Sequence, residues 1–257
     1  MRHELYGESV FTSFRTNSSI VFGFQQHIDR LYNAVVRTYG LDHLSLEQFK
    51  KYFLQQFDFA TLCKENPNHY FRISFYTKGK LSLATAHFSQ EDIAVKITIN
   101  DLASTQEKSL KLKIFESPYS RHYVPIKSGS YFQSLHFKKQ AIRDGFDDVL
   151  FTSQQEVTEA SSSNIIFERD GEFFTPQGDF FLRGVTLALF AEYCDQRKVL
   201  FEEKIINQDG LTQYDHVYLL NSVKGLIPVE VINNKRYAIN DKLKQNFFYF
   251  CQEKYGS

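Results

Sequence analysis

Apolar residues in the first part of the chain recur three or four positions apart, as they do on one face of a helix. One such run covers Phe24–Tyr39, and Gly40 after it is a suitable helix end. Ser45 with Gln48 has the spacing of a capping box, which predicts a second helix to about residue 57. The pattern then changes to apolar and polar residues in alternation, which is typical of strands.

Alternating or β-branched runs predict strands in both halves of the chain. The predicted strands cover residues 20–22, 70–76, 93–100, 110–115, 123–126, 148–152, 164–168, 172–175, 216–220 and 227–231. Asp170-Gly171 predicts a tight hairpin between two of them. Further helices are predicted over residues 131–143 and 185–198, and after the capping pair Asn240-Asp241. Because helices and strands do not alternate as βαβ repeats, the pattern predicts two α+β units.

A turn-like stretch separates these two halves. It contains two of the five prolines, Pro118 and Pro125. We therefore predict a linker at residues 117–124, between a small N-terminal domain at 1–116 and a larger domain at 125–257. A chain of 257 residues is long enough for two domains that each bury a core.

Composition narrows the classes of partner. Lys and Arg together number 30, as do Asp and Glu, and no basic block is present, which argues against nucleic acid or an anionic membrane as partner. No apolar run reaches the roughly 18 residues of a membrane span, and the N-terminus lacks a signal-peptide pattern. We therefore expect a cytoplasmic protein. Three scattered cysteines predict neither a disulfide framework nor a metal site.

Two segments carry residue types that suit one kind of cofactor chemistry. Lys127 lies in Ile-Lys-Ser-Gly-Ser-Tyr, and Glu159 follows 32 residues later in Thr-Glu-Ala-Ser-Ser-Ser-Asn. A lysine amine can form a Schiff base, a carboxylate can hold a pyridinium nitrogen, and small polar residues can surround a phosphate. Pyridoxal 5'-phosphate needs these three functions from a protein. Taken alone, each residue is more simply interpreted as a surface charge.

Together the two segments resemble the class IV aminotransferase family, also called fold-type IV pyridoxal-phosphate enzymes. The resemblance extends from Tyr6 to Val229. It implies an α+β enzyme of two domains, with a small N-terminal α/β sandwich and a larger C-terminal β-barrel-like domain with helices. It also implies pyridoxal 5'-phosphate as cofactor, a small amino-carboxylate substrate and a homodimer.

The family motifs imply roles for individual residues. Lys127 matches the Schiff-base lysine and Glu159 the partner of the cofactor ring nitrogen, so both are expected to be catalytic. Lys138 and Lys139 are rival lysines, but the helical pattern around them favours a solvated face. Most family members have Gly after this Glu, where this chain has Ala160.

Three segments match those that hold the cofactor phosphate in the family. Residues 26–31 match His-x-x-Arg-Leu, whose Arg binds the phosphate, and residues 184–186 match Gly-Ile-Thr at a helix N-terminus. Asn221-Ser222 offers a third contact. Singly, each has a plainer interpretation as a surface ion pair, a helix cap or a turn. The expected cofactor-binding residues are Arg30, Lys127, Tyr131, Glu159, Asn164, Gly184, Val185, Thr186 and Ser222.

The resemblance also implies substrate contacts. Tyr-Phe-Arg at residues 70–72 resembles a strand that directs a basic residue toward the substrate carboxylate, although Arg72 is also typical of an exposed strand edge. Residues 6–15 match a family element in which Phe11 faces the active site, with Glu8 and Ser9 in place of Asp and Gly. Relatives begin with a further strand, so we expect the first sheet to lack one.

Three activities divide the family. The D-amino-acid enzymes carry an Arg-x-His carboxylate trap, which is missing after residues 77–79. Asn221-Ser222 followed by Pro228-Val229 looks more like 4-amino-4-deoxychorismate lyase, which forms 4-aminobenzoate and pyruvate in folate biosynthesis. This lyase is the expected activity. The alternatives are a branched-chain or other aminotransferase, which residues 70–72 favour in part, and a non-catalytic binding protein of the same fold.

Overall fold

The computed structural model describes residues 2–79, 84–85, 88–102, 108–117, 126–178 and 181–256. The chain divides into two compact units. The first comprises Met1–Thr105 and Ile126–Tyr131, and the second comprises Gln106–Pro125 and Phe132–Ser257. Both units combine helices with a sheet, which confirms the predicted α+β class.

The first unit contains a three-stranded antiparallel sheet in the order β1-β2-β3. Its helices and strands are α1 (Arg2–Tyr6), β1 (Ser9–Arg15), α2 (Phe24–Tyr39), α3 (Leu46–Phe49), α4 (Phe59–Glu65), β2 (His69–Thr77) and β3 (Ile93–Asp101). A π-helical turn over Lys50–Leu54 extends α3. In the β1–β2 register, Phe11 lies opposite Ser74 and Ser13 lies opposite Arg72.

Alternation along β1 gives this sheet one face that packs on α2. Val10 and Phe14 point to that face and are buried in the core of the first unit with Ile28 and Leu31 of α2. Phe14 also stacks on Phe71 of β2, with ring centroids 5.6 Å apart. Burying an apolar side chain of this size contributes roughly 1.5–3 kcal/mol, so this row of contacts fixes the register of the sheet against the helix.

The second unit contains a nine-stranded sheet in the order β6-β5-β4-β11-β10-β7-β8-β9, with β12 paired to β11. Its strands are β4 (Leu110–Glu116), β5 (Asp148–Ser153), β6 (Glu156–Ala160), β7 (Asn164–Arg169), β8 (Glu172–Pro176), β9 (Phe201–Lys204), β10 (His216–Asn221), β11 (Gly225–Ile232) and β12 (Lys235–Arg236). Its helices are α5 (Phe132–Arg143), α6 (Val185–Arg197) and α7 (Asp241–Tyr255).

Strands β7 and β10 are neighbours in the interior of this sheet, and four of the six residues in each are buried. Ile165, Phe167 and Leu219 have no exposed surface. An aromatic group packs α6 onto α7, with the rings of Phe190 and Phe247 in an edge contact at 5.3 Å. Because strands β7 and β10 are buried, their ends hold the loops that follow them in defined positions.

Most predicted elements are confirmed within a residue or two. The helix over residues 24–39, the capping box at Ser45 and the two-residue hairpin at Asp170-Gly171 are all present. The strand predicted at residues 20–22 is wrong, because Ile20 pairs only with Asn17 across a tight turn. Helices α1 and α4 and strands β1, β6, β9 and β12 were not predicted from the pattern.

The division into units differs from the predicted one at two places. Strand β4, which we placed in the first domain, pairs in parallel with β5 and β11 in the sheet of the second unit. Ile126–Tyr131, which we placed in the second domain, belongs to the first unit. The physical reason is that a strand's pattern shows that it is a strand but does not specify its partner. Residues 118–124 of the predicted linker and 123–125 of the strand predicted before Lys127 lie outside the described residues.

Two general features bear on the class of protein. Across the described ranges, every helix is too short or too polar to span a bilayer. The three cysteines, Cys63, Cys194 and Cys251, are buried free thiols. Burial raises the pKa of both Cys194 and Cys251 to about 12, which keeps these thiols protonated and unreactive at neutral pH.

Candidate active site

The segment that contains Lys127 lies along the free edge of β1. The Phe11 N–H donates to the Lys127 carbonyl at 2.9 Å, and the Gly129 N–H donates to the Ser9 carbonyl at 2.8 Å. Val10 and Ser128 form the antiparallel bridge between these two bonds. Since directly opposed residues in an antiparallel pair share a face, Lys127 and Phe11 point to the same side of the extended sheet.

Gly129 allows this close pairing. A Cβ on Gly129 would overlap the hydroxyl oxygen of Ser9. The family resemblance places Gly where this chain has Ser9, and the Ser9 side chain is accommodated here because Gly129 has none. This departure from the family pattern is therefore compatible with the pairing that positions Lys127.

The Lys127 amine lies among aromatic and polar groups. Its Nζ donates to the Tyr131 hydroxyl at 3.0 Å and is 5.0 Å from the centre of the Phe11 ring. The rings of Phe11 and Tyr131 are 5.7 Å apart. The structure thus brings together three of the predicted site residues around one amine.

Arg72 of β2 also contacts the Phe11 ring. Its guanidinium carbon is 3.5 Å from the ring centre, and its Nε donates to the Ser74 hydroxyl at 3.0 Å. Among the described residues, no carboxylate pairs with Arg72. Phe11, Arg72 and Lys127 therefore form a surface that carries two cations and suits a substrate carboxylate.

The rival lysines have other surroundings. Lys138 donates from Nζ to the buried carboxylate of Asp148 at 2.9 Å and lies 3.5 Å from the Ser161 hydroxyl. Lys139 is exposed on α5. An amine that neutralises a buried carboxylate is not available as a nucleophile, so the structure favours Lys127 over both.

Arg30 on α2 is a half-buried cation. Its Nη2 donates to the Thr12 hydroxyl at 3.0 Å, while its Nε–H is buried without a partner in the described part of the chain. Burial lowers the pKa of Arg30 to about 10, and the Tyr131 hydroxyl opposes part of that fall. Arg30 stays charged at neutral pH, and a half-buried guanidinium whose Nε–H is a spare donor is suited to a phosphate.

In the second unit, Glu159 and Asn164 hold the loop that precedes α6. The Glu159 carboxylate accepts from the Leu182 N–H at 3.3 Å. The Asn164 amide donates to the Leu182 carbonyl at 2.7 Å and accepts from the Gly184 N–H at 3.0 Å. Ala160 next to Glu159 does not have positive φ, so the replacement of the family's Gly costs no backbone strain here.

The N-terminus of α6 has the features of an anion site. Gly184 is its N-cap residue, no side chain caps its first turn, and that turn contains no acidic residue. A Cβ on Gly184 would overlap Asn164 Oδ1, so only glycine fits against this amide. The Thr186 hydroxyl lies 2.9 Å from that of Ser222. Backbone amides and two hydroxyls are thus gathered at the positive end of the helix dipole.

Asn221 has a structural role in the turn that carries Ser222. Its side-chain oxygen accepts from the N–H groups of Val223 and Lys224, at 3.0 and 2.8 Å. Its amide donates to the Ser163 hydroxyl at 2.9 Å, which ties the turn to the segment after Glu159. The sequence alone did not reveal that tie, because the two segments are far apart in the chain.

The predicted site residues fall into two groups. In the first unit these are Phe11, Arg30, Arg72, Lys127 and Tyr131; in the second they are Glu159, Asn164, Gly184, Val185, Thr186 and Ser222. Thr12 and His27 are buried polar residues that lie next to Arg30. They were not predicted as site residues, although the His-x-x-Arg spacing pointed to His27. The described residues contain no cluster of three His, Cys, Asp or Glu that could hold a metal ion.

The arrangement matches known proteins over almost the whole chain. Residues 9–232 match the family described as amino-transferase class IV. The chain belongs to this family. Lys127, Glu159 and the N-terminus of α6, which the family resemblance relates to the cofactor, each lie within one of the two units.

Individual relatives are distant in sequence. A Methanocaldococcus jannaschii protein provisionally named branched-chain-amino-acid aminotransferase is 25% identical, with 95% of this chain and 87% of that protein covered. A Legionella pneumophila structure provisionally named 4-amino-4-deoxychorismate lyase has a TM-score of 0.81 at 21% identity, covering 98% and 92% of the two chains. An aminotransferase from Brucella abortus bound to PLP has a TM-score of 0.80 at 16% identity, covering 100% and 92%.

Proposed function

We propose that this class IV protein binds pyridoxal 5'-phosphate and acts as a 4-amino-4-deoxychorismate lyase, releasing 4-aminobenzoate and pyruvate. The observation that carries the cofactor assignment is the placement of Lys127. Its segment is paired to β1, and its amine contacts the Tyr131 hydroxyl at 3.0 Å beside Phe11. The Brucella abortus relative binds the same cofactor.

The residues present fit this cofactor. Lys127 supplies the amine for covalent attachment, and Glu159 supplies a carboxylate for the ring nitrogen. Arg30, with a buried Nε–H that lacks a partner in the described residues, supplies a cation for the phosphate. The uncapped N-terminus of α6, with Thr186 and Ser222, supplies further donors.

When bound, pyridoxal 5'-phosphate withdraws electrons from the substrate carbon that bears the amine, which makes the proton on that carbon acidic. The Lys127 amine, released when the substrate amine takes its place, would take this proton, and the Tyr131 hydroxyl holds the Lys127 amine in place. The Glu159 carboxylate keeps a proton on the ring nitrogen. Arg72 binds the substrate carboxylate beside Phe11 and so orients the carbon toward Lys127.

Loss of pyruvate requires a second proton movement. In the lyase, the C–O bond to the three-carbon group would break, and Lys127 would give the proton that it took to this departing group, which becomes pyruvate. The ring that remains becomes the aromatic ring of 4-aminobenzoate. In an aminotransferase, Lys127 would instead return the proton to the cofactor carbon. The same residues serve both outcomes, so the choice depends on the substrate that the site accepts.

Two observations favour the lyase. The segment from Asn221-Ser222 to Pro228-Val229 looks like that of the lyase, and the Legionella pneumophila protein provisionally named for this activity shares the fold over 98% of the chain. A branched-chain aminotransferase is the second candidate, supported by the Methanocaldococcus jannaschii relative and by Arg72 on β2. A non-catalytic binding protein of the same fold is the third.

Cofactor attachment can be tested directly. The purified protein is incubated with pyridoxal 5'-phosphate, reduced with borohydride and digested, and the labelled peptide is identified by mass spectrometry. We expect the label on Lys127, its loss in Lys127→Met and its retention in the matched control Lys138→Met. A label on another lysine would refute the assignment of Lys127, and the absence of any label would refute the proposal that this chain is a pyridoxal-phosphate enzyme.

The reaction can be decided with two incubations. One contains aminodeoxychorismate, and the other contains branched-chain amino acids with 2-oxoglutarate. Pyruvate and 4-aminobenzoate from the first incubation alone would support the lyase. Glutamate from the second without pyruvate from the first would establish the aminotransferase instead. Cofactor attachment without product in either would favour the non-catalytic alternative.

We also propose that the protein is a homodimer, as the resemblance implies. Helix α5 exposes Phe132, Leu135 and Ile142, and Phe132 is 84% exposed. Exposed apolar side chains of this size are typical of an interface. Analytical ultracentrifugation should give twice the chain mass of 30.1 kDa. A single species at the chain mass at micromolar concentration would contradict the dimer.

A further inference from the structure

Two polar side chains are fully buried beside Arg30 and have no part in the proposed mechanism. Thr12 and His27 both have no exposed surface. Thr12 occupies the row of β1 that packs on α2, between Val10 and Phe14. His27 lies on α2 three residues before Arg30. Polar residues at core positions are costly unless they are hydrogen-bonded, so their partners indicate their purpose.

The hydrogen bonds of these residues form a directed chain. Arg30 Nη2 donates to Thr12 Oγ1 at 3.0 Å, since a guanidinium has only donors. Thr12 Oγ1 lies 2.7 Å from His27 Nδ1. If Thr12 donates its single hydrogen to Nδ1, every group between Arg30 and His27 is satisfied. With the proton on Nδ1 instead, the Thr12 hydrogen would have no partner among these groups.

His27 is suited to accept this hydrogen because it is neutral. Burial, followed by the charges of Arg30 and Lys127, lowers the pKa of His27 well below its usual range. Its Nε2 is buried without a partner in the described residues, and its ring packs against Phe14 at 5.2 Å. A neutral, immobile acceptor therefore orients the Thr12 hydroxyl, and the hydroxyl in turn receives one N–H of Arg30.

We propose that Thr12 and His27 are positioning residues that direct Arg30 at the cofactor phosphate. This inference rests on the proposed function, and it adds two residues that set the preference for the phosphorylated cofactor. An arginine side chain has several rotatable bonds, and fixing one N–H on Thr12 leaves the planar guanidinium with its remaining donors in one orientation. Without the bond to Thr12, Arg30 keeps its positive charge, but its N–H donors no longer point in one direction.

The first test compares two substitutions of Thr12. Thr12→Val keeps the shape and removes the hydroxyl, whereas Thr12→Ser keeps the hydroxyl. Each apoprotein is titrated with pyridoxal 5'-phosphate and with pyridoxal, which lacks the phosphate, and attachment is followed by absorbance. We expect Thr12→Val to weaken binding of the phosphorylated cofactor about tenfold, as for one lost charge-assisted hydrogen bond, and that of pyridoxal less than twofold. Thr12→Ser should match the wild type.

Substitutions of His27 provide an independent pair. His27→Leu removes the acceptor, and His27→Asn retains one near the position of Nδ1. We expect His27→Leu to reproduce the selective loss of Thr12→Val, the double variant to show no further loss, and His27→Asn to restore much of the affinity. If the variants lose affinity for pyridoxal 5'-phosphate and for pyridoxal equally, Thr12 and His27 have a merely structural role. Unchanged affinity for both would also overturn the inference.

A measurement on the unmodified protein keeps the inference testable if the variants fail to fold. Nitrogen NMR of the histidine rings should show His27 with a hydrogen on Nε2 and an unprotonated, hydrogen-bonded Nδ1 between pH 6 and 8, the range in which an ordinary histidine titrates, roughly around pH 6.5. A hydrogen on Nδ1 instead would contradict the directed chain. If neither form of the cofactor attaches to Lys127 in the wild type, the proposed function itself fails; attachment without selectivity refutes only this inference.

Discussion

At the scale of single residues, the loop before α6 depends on one side chain and on the absence of another. Asn164 binds both the carbonyl of Leu182 and the N–H of Gly184. Gly184 lies so close to the Asn164 side chain that no Cβ fits between them. The sequence matched Gly184 to a family motif, and the structure supplies the physical reason for a glycine there.

Substituting Gly184 should weaken cofactor binding by displacing Asn164. We expect Gly184→Ala to raise the Kd for pyridoxal 5'-phosphate about tenfold and to lower the free energy of unfolding by about 1–3 kcal/mol. Titration and urea unfolding would measure the two effects. Gly210→Ala is the matched control, because its Cβ would meet only the flexible end of Gln213. In an Asn164→Ala background, Gly184→Ala should cause smaller losses of cofactor affinity and of stability. Unchanged losses would contradict the role of the contact between Gly184 and Asn164.

Removing Arg72 should affect substrate more than cofactor. Arg72 contacts Phe11 and Ser74 and pairs with no carboxylate in the described residues, so Arg72→Gln removes a cation without breaking an ion pair. We expect KM for a carboxylate substrate to rise about tenfold or more, with the Kd of the cofactor changed less than twofold. Steady-state kinetics and cofactor titration would measure both. A large loss of cofactor affinity would assign Arg72 to the cofactor instead.

His27 should make stability fall in mild acid. Its pKa is ordinarily near 6.5 in an unfolded chain and lies well below that in the folded protein, so below pH 6.5 the unfolded chain binds a proton that the folded chain does not. From pH 7.5 to 5.5, the wild-type apoprotein should therefore lose about 1.4 kcal/mol more than His27→Asn in urea unfolding. His43→Asn, at an exposed histidine, is the control. Equal losses in wild type and His27→Asn would contradict a neutral His27.

At the scale of elements, the decisive contact is between β1 and the segment Ile126–Tyr131. The hydrogen bonds of Phe11 and Gly129 fix the position of Lys127 along the edge of the sheet. A reactive lysine on a paired segment has a defined direction, which a lysine on an unpaired loop lacks. The local pattern suggested a strand before Lys127 but did not indicate that β1 is its partner.

This pairing can be tested with a substitution and its rescue. A Cβ on Gly129 would overlap the Ser9 hydroxyl, so Gly129→Ala should push the segment away from β1. We expect faster exchange of the Phe11 amide hydrogen and about tenfold slower cofactor attachment to Lys127. Adding Ser9→Gly should restore both, since it removes the overlapping atom. A single variant that behaves as wild type would show that the pairing does not position Lys127.

The helix α5 is tied to the sheet of the second unit by a pair that sequence reasoning placed in solvent. Lys138 contacts Asp148, whose side chain is buried at the start of β5. Both lysines at 138 and 139 lie within the helical pattern, and only the packing of α5 on β5 distinguishes them. The pair explains why Lys138 is unsuited to covalent chemistry although it is close in sequence to Lys127.

At the scale of the whole molecule, cofactor and fold should stabilise each other. A ligand that binds only the folded chain raises the free energy of unfolding by about 2.7 kcal/mol at a concentration 100 times its Kd. We therefore expect pyridoxal 5'-phosphate to raise the Tm of the wild type, and its removal to reverse the effect. Calorimetry of Lys127→Met in the same solution should show a smaller rise. An equal rise in this variant would mean that the stabilisation does not depend on the attachment.

The local elements, and the residues on them that suit cofactor chemistry, are predictable from the amino-acid sequence. Helical spacing defined α2, a capping pair defined the start of α3, and family motifs selected Lys127, Glu159 and Arg30. These features are predictable because they depend on neighbours within a few positions, or on short motifs that are read directly along the chain.

Which elements meet became known from the three-dimensional fold. It assigned β4 to the second sheet, returned the Lys127 segment to β1, and buried Thr12 and His27 against Arg30. The physical reason is that strand pairing and side-chain contact join residues far apart in the chain. Their free energy comes from shared burial and hydrogen bonding, for which the local sequence of either partner provides no pattern.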